Sequence, residues 1–418
     1  MNVNNAARRG GVVPPEAKTQ RPPTKRKAPV KKPPVVSKVR VKERLAKFDI
    51  PFFVITLVLM VFGIGMLLSA SYAFAAREHE GDSLYFFTRQ LAFMGGGLLL
   101  MLIVSVVPYQ LYRNGRVVAI LVISSVLMML LTIAGIGGVE QGGSTRWLGV
   151  GPLTFQPSEI LKFALIVFMA YVVHRNYENL KNFKKGFIPL VIIAGSACGL
   201  MALQRHLSGT IIMFAIAATL VFVSPIRTRY IIASILLIAV VAGLAFAAIP
   251  TIDKMSDANV AGRIESWRNP ESDIRGETFQ TYQSLITIGS GGWFGLGLGN
   301  SRQKFSYLPA THNDFIFSVV CEELGFVGGM LVLLLFVILI MRGFYIATHA
   351  RDRFAMMLAV GITAQIGIQA LLNIAVVTNS VPNTGITLPF FSYGGTAMVM
   401  MMAQIGVLLN ISRKASIE

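Results

Sequence analysis

Long apolar runs alternate with short polar segments along most of this 418-residue chain. A helix needs about 20 mainly apolar residues to cross the hydrocarbon core of a bilayer. Measured against that length, the sequence predicts ten spans, near residues 50–76, 86–108, 117–137, 158–174, 187–204, 209–225, 230–250, 314–341, 355–377 and 389–411. The pattern therefore predicts an all-α polytopic membrane protein with about ten transmembrane helices.

Composition excludes the main soluble classes. Hydrophobic residues make up 54% of the chain and charged residues only 14%, against about 25% charged in an ordinary soluble domain. The two cysteines, Cys198 and Cys321, lie in apolar runs, which argues against a disulfide scaffold. The histidines show no zinc-ligand spacing, so no metal site is predicted.

The first 48 residues differ from the rest. They contain 14 Lys and Arg, two acidic residues and seven of the 18 prolines. Such a segment cannot bury enough apolar surface to fold, so residues 1–48 are predicted to be a disordered basic tail. Its main expected role is a cytoplasmic tether, with contact to anionic membrane lipids as a second role. The remaining chain has no basic stripe, and nucleic acid is not an expected partner.

The placement of Lys and Arg predicts the orientation. These residues concentrate in the tail and in the loops after spans 2, 4, 6, 8 and 10, and such loops are usually cytoplasmic. Both termini are therefore expected inside, with a membrane domain at 49–412 and a short C-terminus at 413–418. The long polar loop 251–313, between spans 7 and 8, is expected outside, with short interfacial helices at Tyr282–Ile288 and Trp293–Leu298.

Ionisable residues at helix depth are costly and suggest function. Pro157 and Ser158 are predicted to begin a helix, on which Glu159 and Lys162, three residues apart, share a face. Lys162 could hold a phosphate as a point charge, or the two charges could only neutralise each other. The spacing favours neither interpretation.

Asp314 stands where the long loop meets the eighth span. Aspartate is a preferred helix N-cap, and the spacing alone favours that role. A carboxylate at the membrane surface could also accept a proton from a substrate hydroxyl. The two roles are compatible.

Two further stretches stand out. Glu322 and Glu323 are adjacent acids in an apolar span, for which structural pairing with Lys162 or Arg205 is the preferred interpretation. Residues 382–395 are rich in proline and glycine, and irregular backbone survives at membrane depth only where it is buried in protein or lines a cavity. This segment is therefore predicted to form a lid or a cavity wall.

Taken together, these motifs resemble the SEDS family of shape, elongation, division and sporulation proteins over residues 48–412. The shared motifs are Arg146-Trp147, Gln156-Pro157-Ser158-Glu159 with Lys162, Gln283-Ser284, Gly297-Leu298-Gly299-Asn300-Ser301, His312 to Phe317, Glu322-Glu323-Leu324-Gly325 and Ser392-Tyr393-Gly394-Gly395. Thr387 and Ser69-Ala70-Ser71 are more similar to the division and sporulation members than to the elongation member. His206 departs from the pattern, because many relatives have an acidic residue there.

The resemblance implies an inverting peptidoglycan glycosyltransferase that polymerises lipid II at the outer face of the bacterial cytoplasmic membrane, at the division septum. The implied partners are lipid II, the growing glycan strand, a class B penicillin-binding protein and membrane proteins of the divisome. Asp314 is the implied general base. The implied substrate-binding residues are Lys162, Glu159, Arg146, Gln156, Ser158, His312, Gln283, Ser392 and Tyr393.

No cofactor is defined by the sequence, and participation of a divalent cation stays open. Two rival functions also stay open. A lipid II flippase would use the same charges inside the membrane, whereas a non-catalytic scaffold would only recruit the transpeptidase.

Overall fold

The computed structural model describes residues 48–141, 144–150, 153–204, 206–230, 232–233, 260–272, 278–302 and 312–415. Residues 1–47 of the predicted tail, most of the predicted span near 230–250 and parts of the loop 251–313 lie outside the described residues.

Helices dominate the described chain. Their bounds are α1 Ile50–Glu78, α2 Tyr85–Val106, α3 Gly115–Ile133, α4 Pro157–Arg175, α5 Ile188–Leu203, α6 Leu207–Val223, α7 Val260–Arg268, α8 Phe279–Ser290, α9 Ile316–Thr348, α10 Arg353–Val377 and α11 Gly395–Lys414. Within the described residues, eight helices are long and apolar enough to span a membrane, counting α5 with the π-helical turn that precedes it, and α6 is a shorter apolar helix. The prediction of a helical, multi-span membrane protein is confirmed, and the total of ten spans stays a prediction.

Several helices begin where their sequence favours a helix start. Asp49 caps α1 by accepting from the Phe52 amide at 2.9 Å, and Asp352 caps α10 by accepting from the Ala355 amide at 2.9 Å. Pro157 occupies the first turn of α4, where its missing N–H costs nothing. The last predicted span began too early, because Pro389–Gly394 is irregular and α11 begins at Gly395.

The pattern did not predict a small β-sheet between α3 and α4. Strands β1 Gly138–Gln141, β2 Ser144–Val150 and β3 Leu153–Phe155 pair antiparallel in that order. Val139 pairs with Trp147 and Glu140 with Thr145, so Arg146 is the extra residue of a β-bulge. Bulges re-aim side chains and are frequent beside functional sites.

Helix α9 is broken at Gly325, whose φ of 70° and ψ of −170° are not helical. The break would leave backbone groups without helical partners, and the glycine-rich loop 291–299 supplies replacements. The amides of Leu296 and Gly297 donate to the carbonyls of Glu322 and Glu323 at 2.9 and 3.0 Å. On the other side of the break, the Phe326 amide donates to the Gly292 carbonyl at 2.9 Å.

The two acids beside this break hold the same loop with their side chains. Glu323 accepts from the Ser69 hydroxyl at 2.6 Å and from the Gly299 amide at 3.1 Å. Glu322 accepts from the Ser301 hydroxyl and from the Arg302 amide. Both acids are fully buried, so the interpretation of a structural role is supported, but the partners differ from those expected. Lys162 pairs instead with Glu159, and Arg205 lies outside the described residues.

At the opposite end of the bundle, an ion pair between a buried aspartate and a half-buried arginine joins the first helix to α9. Both oxygens of Asp49 contact the Arg342 guanidinium at 2.9 to 3.0 Å. The Asp49 amide donates to the Ser412 hydroxyl of α11 at 3.1 Å. Three helices are therefore fixed where the N-terminal segment enters the membrane domain.

We expect Gly325→Ala to destabilise the protein. Its φ lies in the left-handed region, which costs an L-residue about 1–2 kcal/mol, and a Cβ there would lie 2.4 Å from the backbone nitrogen of Gly295. Gly199→Ala on α5 is the matched control, because a Cβ at Gly199 has nothing within 4 Å. Thermal unfolding in detergent should show a lower midpoint for Gly325→Ala only, and equal midpoints would contradict the proposed loop-helix junction.

Candidate active site

A cavity of about 770 Å³ lies where the irregular segments of the fold converge. Its walls come from the sheet, the first turns of α4, the α5–α6 connection, the turn before α9, the irregular segment after α10 and the α1–α2 connection. The proline- and glycine-rich segment contributes Gly385, Ile386, Thr387, Tyr393, Gly394 and Gly395. It therefore forms a wall of the cavity.

The structure brings eight of the ten residues that the sequence singled out to this cavity. They are Asp314, Lys162, Glu159, Arg146, Gln156, Ser158, His312 and Tyr393. They come from β2, α4, the turn before α9 and the segment after α10, and they span about 250 positions of the sequence. Their convergence is a product of the fold and not of local spacing.

The first turns of α4 place a buried ion pair in the wall. Lys162 Nζ lies 2.8 Å from a carboxylate oxygen of Glu159. Both residues are buried, at 3% and 7% exposure, yet both line the cavity. The pairing that the spacing allowed is present, and the same ammonium also faces the space where a ligand would bind.

Asp314 does not cap α9, and that prediction was wrong. The N-cap position is Phe315, and no side chain makes a capping hydrogen bond there. Asp314 instead lies one residue earlier, in the turn 312–315, where Asn373 Nδ2 donates to its backbone carbonyl at 2.7 Å. Because the cap is not its role, the side chain is available to face the cavity.

The Asp314 side chain is half-buried in the cavity wall. No donor of the described residues hydrogen-bonds to it, and burial raises its pKa to about 6, against the opposing effect of the Arg146 charge. A Cβ added at Gly385 would lie 3.2 Å from Asp314 Oδ2, so the glycine keeps the space beside the carboxylate open. A carboxylate with a pKa near 6 is ionised at neutral pH and is a stronger base than an exposed aspartate.

His312 stands two residues before Asp314, between two aromatic rings. Its ring lies 4.5 Å from that of Phe86 and 4.7 Å from that of Phe74, measured between centroids. Burial lowers its pKa to about 4, so the imidazole is neutral at pH 7. The Tyr393 amide donates to the His312 carbonyl at 2.9 Å, which joins the two walls of the cavity.

Four residues of the cavity wall have buried polar atoms with no hydrogen-bond partner among the described residues. The atoms are Ser158 Oγ, His206 Nδ1, His312 Nδ1 and Gln369 Oε1. Buried polar groups normally have a hydrogen-bond partner, so atoms without one in the protein indicate that water or a ligand binds beside them. Their arrangement suits a ligand that carries several hydroxyl or amide groups.

Arg89, His206 and Gln369 are among the wall residues that the sequence did not assign to the site. Arg89 lies on α2, and its guanidinium carbon is 4.3 Å from the centre of the Tyr85 ring. The signal for His206 was its departure from the acidic family pattern, and burial lowers its pKa to about 3. Gln369 is a polar but non-ionisable residue in the middle of an apolar helix, and that position is the sequence feature that could have indicated it.

The described cavity wall carries more positive than negative charge. Arg89, Arg146 and Lys162 are cationic, whereas Glu159 and Asp314 are the two acids. Burial lowers the pKa of Arg146, an effect that Arg263 strengthens and Asp314 opposes, but an arginine stays charged at neutral pH. The wall therefore favours an anionic ligand.

Two predicted substrate-binding residues do not line the cavity. Gln283 lies on α8, where its backbone carbonyl accepts from the Thr287 hydroxyl at 2.6 Å. The Ser392 hydroxyl donates to the Asn313 carbonyl at 2.6 Å and accepts from the Leu388 amide at 2.7 Å. Ser392 thus supports the turn that carries Asp314, and its hydroxyl is already engaged.

Among the described residues, no group of three or more His, Cys, Asp or Glu side chains is arranged to hold a metal ion.

The sequence matches known proteins along nearly its whole membrane part. The family model of the FtsW, RodA and SpoVE cell cycle proteins matches residues 50–417. Stage V sporulation protein E of Bacillus subtilis (strain 168) is 40% identical over 366 residues, which cover 87% of this chain and 97% of that protein. A probable peptidoglycan glycosyltransferase FtsW of Trichlorobacter lovleyi is 37% identical over 371 residues, which cover 88% and 94%.

Two solved structures share the fold. One is a chain of a peptidoglycan synthase complex that coordinates polymerization and crosslinking, with a TM-score of 0.72 and 24% identity over 88% of this chain and 98% of that chain. The other is the rod shape determining protein RodA of Thermus thermophilus, with a TM-score of 0.62 and 24% identity over 89% and 98%.

The buried pair on α4 gives a stability prediction. Lys162→Met should destabilise the protein by about 3–5 kcal/mol, because it leaves the Glu159 charge buried without its partner. The double variant Glu159→Gln with Lys162→Met removes both charges and should recover most of that loss. Unfolding free energies of the two variants and the parent protein test this, and a double variant as unstable as the single one would contradict it.

Proposed function

Because the chain belongs to the FtsW/RodA/SpoVE family of cell cycle proteins, we propose that it is a peptidoglycan glycosyltransferase. It polymerises lipid II, a disaccharide-pentapeptide linked to a polyprenyl diphosphate, into glycan strands. The observation that carries this proposal is Asp314, a half-buried carboxylate with a pKa of about 6 in a cavity of net positive charge.

In the proposed reaction, Asp314 is the general base. The 4-hydroxyl of the acceptor sugar attacks the anomeric carbon of the donor sugar and transfers its proton to the carboxylate. A new glycosidic bond forms as the bond between the anomeric carbon and the diphosphate oxygen breaks. A single displacement of this kind inverts the anomeric configuration and needs one base within hydrogen-bond reach of the attacking hydroxyl.

The cations of the cavity stabilise the leaving group. Charge accumulates on the diphosphate as its bond to the sugar breaks, and fixed positive charges in a poorly solvated site stabilise that charge strongly. Lys162, Arg146 and Arg89 are the candidates, with Lys162 held in place by Glu159 at 2.8 Å. The arginine forks can bind phosphate oxygens in pairs, whereas the lysine acts as a compact point charge.

The polar atoms without partners provide contacts for the sugars. Ser158, His206, His312 and Gln369 can each exchange a hydrogen bond with a hydroxyl or an amide. Neutral imidazoles suit this role, because they orient a sugar without adding charge beside the base. These contacts would hold the acceptor hydroxyl in line with the donor carbon.

A transpeptidase of the penicillin-binding class is the proposed partner. The similar chain of known structure belongs to a synthase complex that coordinates polymerization and crosslinking, and newly made strands need crosslinking. We place the protein in the bacterial cytoplasmic membrane at the septum, with both termini inside and the cavity facing out. A cysteine introduced at Glu271 should react from outside intact cells, and reaction only after permeabilisation would contradict this orientation.

Polymerisation of lipid II by the purified protein in detergent tests the activity itself. A detergent micelle does not separate two compartments, so a flippase has no transport to perform and would give no glycan product in this assay. A scaffold would also give none, with or without its transpeptidase. Glycan strands in the presence of the full chain support the proposed enzyme, and their absence under both conditions contradicts it.

Asp314→Asn should lower glycan synthesis about 10²–10⁴-fold, because an amide cannot accept the proton usefully at neutral pH. The substitution keeps the size of the side chain and removes no cap, since Phe315 occupies that position. The unfolding midpoint and the binding of the transpeptidase should stay at parental values. A folded Asp314→Asn protein that polymerises at the parental rate would end the catalytic assignment.

The rate should also depend on pH in a defined direction. The base works only when it is deprotonated, so with a pKa of about 6 the rate should be level above pH 7 and fall as the pH drops through 6. At pH 5 it should be roughly tenfold below the plateau. The residual rate of Asp314→Asn serves as the control and should show no inflection near pH 6, and an unchanged parental profile between pH 5 and 7 would count against Asp314.

A further inference from the structure

Asn373 is a polar residue in the apolar helix α10, and it does not line the cavity. Its side chain is fully buried, at 0% exposure. Asn373 Nδ2 donates to the backbone carbonyl of Asp314 at 2.7 Å and to that of Ile386 at 2.6 Å. A buried amide is costly unless its N–H groups are bonded, and this one uses both of them on two irregular segments that form the cavity wall.

Three consecutive carbonyls of the turn 312–315 accept hydrogen bonds. The first two accept from the Tyr393 amide at 2.9 Å and from the Ser392 hydroxyl at 2.6 Å, and both donors belong to the irregular segment after α10. The third accepts from Asn373, the one of these three donors that stands on a helix. Asn373 therefore fixes the turn to the helical bundle, whereas the other two bonds hold it to a second irregular segment.

Gln369 extends this support by one turn of α10. It lies four residues before Asn373, on the same face of the helix, and its Nε2 donates to the carbonyl and the hydroxyl of Thr387 at 3.2 and 3.1 Å. Gly385, which keeps the space beside the Asp314 carboxylate open, comes just before the residues that these two amides hold. The backbone that carries the carboxylate and the backbone beside it are therefore supported by the same helix.

The Asp314 carboxylate depends on this support because it has no hydrogen bond of its own among the described residues. Its position follows from the backbone and from two side-chain torsions. A general base has to lie within hydrogen-bond reach of the hydroxyl that it deprotonates, and a displacement of about 1 Å can lower a rate about 10²-fold. A residue that fixes the backbone of Asp314 can therefore change the rate without contacting the substrate.

We propose that Asn373 is a positioning residue for the general base, a proposal that rests on the proposed function. By holding the Asp314 carbonyl and the segment that follows Gly385 on one helix, it keeps the carboxylate in the enclosed part of the cavity and within reach of the acceptor hydroxyl. Asn373 does not line the cavity, so its replacement should affect the chemical step more than substrate binding.

Asn373→Leu tests the proposal, because leucine is similar in size and has no donor. Asn373 Oδ1 has no partner among the described residues, so the substitution removes the two donated bonds and no others. Asn410→Leu on α11 is the matched control. Asn410 is also a buried amide with two backbone bonds, one to the Ser105 carbonyl and one from the Tyr109 amide, both at 2.9 Å. About 22 Å of helix separates it from Gly395 of the cavity wall.

Both variants lose two hydrogen bonds, so both should unfold at a lower midpoint than the parent protein. Only Asn373→Leu should lower kcat, by at least about tenfold, with the KM for lipid II within about twofold of the parental value. A displaced carboxylate is less enclosed, so the pKa of Asp314 should fall from about 6 toward that of an exposed aspartate, and the inflection of the rate should move below about pH 5. Equal losses of kcat in the two variants, or a loss in Asn373→Leu with the inflection still near pH 6, would show a structural role only and overturn the proposal.

A measurement without turnover separates this proposal from the proposed function. Infrared difference spectra of the full-length protein can follow protonation of the Asp314 carboxyl group, whose band is identified by its absence in Asp314→Asn. The midpoint should lie near pH 6 in the parent protein and in Asn410→Leu, and below about pH 5 in Asn373→Leu. No glycan synthesis by the parent protein would end the proposed function, whereas a midpoint that stays near pH 6 in Asn373→Leu would overturn the positioning role alone.

A milder variant keeps the proposal testable if Asn373→Leu does not fold. Asn373→Ser keeps one donor, so it can hold one of the two carbonyls. It should lower kcat and the infrared midpoint in the same direction as Asn373→Leu and by smaller amounts. A folded Asn373→Ser protein with the parental kcat and the parental midpoint would overturn the proposal.

Discussion

Backbone hydrogen bonding is the constraint on which this structure depends. Inside a bilayer no water satisfies an exposed N–H or C=O, so irregular backbone must find partners within the protein. The break of α9 at Gly325 shows how this is met, because the loop 291–299 donates to two helix carbonyls and accepts from two helix amides. The irregular segments before α9 and after α10 are enclosed in the same way, through Asn373 and Ser392. The cavity exists because these segments meet among the helices.

The same low-polarity surroundings decide what charge does in the cavity. A buried charge is tolerated only with a partner, and Lys162 has one in Glu159. That pairing removes most of the cost of the ammonium without moving it away from the cavity. Arg146 is the extra residue of a β-bulge and lines the cavity. The irregular backbone of the sheet therefore adds a positive charge to the cavity wall. An anionic ligand would complete the charge balance that the described wall leaves positive.

Contacts between residues that are close in the sequence could be predicted, but contacts between distant segments could not. Pro157 marked the start of α4, and the three-residue spacing of Glu159 and Lys162 predicted their pairing. The sheet was missed because its short strands are polar and rich in glycine, which is typical of loops.

The partners of Glu322 and Glu323 were predicted wrongly, because they include backbone amides of a loop about 20 residues earlier, and a backbone amide leaves no signal in the sequence. Gln283 was grouped with the site by family motif, yet α8 holds it elsewhere.

The structure also separates two carboxylates that the sequence could not rank by geometry. Glu159 and Asp314 both line the cavity, and either could have been the base. An oxygen of Glu159 already contacts the Lys162 ammonium at 2.8 Å, so protonation of Glu159 would break a buried ion pair. Asp314 has no donor among the described residues, and burial raises its pKa to about 6. Gaining a proton therefore costs Asp314 little and relieves a poorly solvated charge. In the proposed reaction, two acids with environments this different would divide the work, with Glu159 holding the cation for the leaving group and Asp314 accepting the proton.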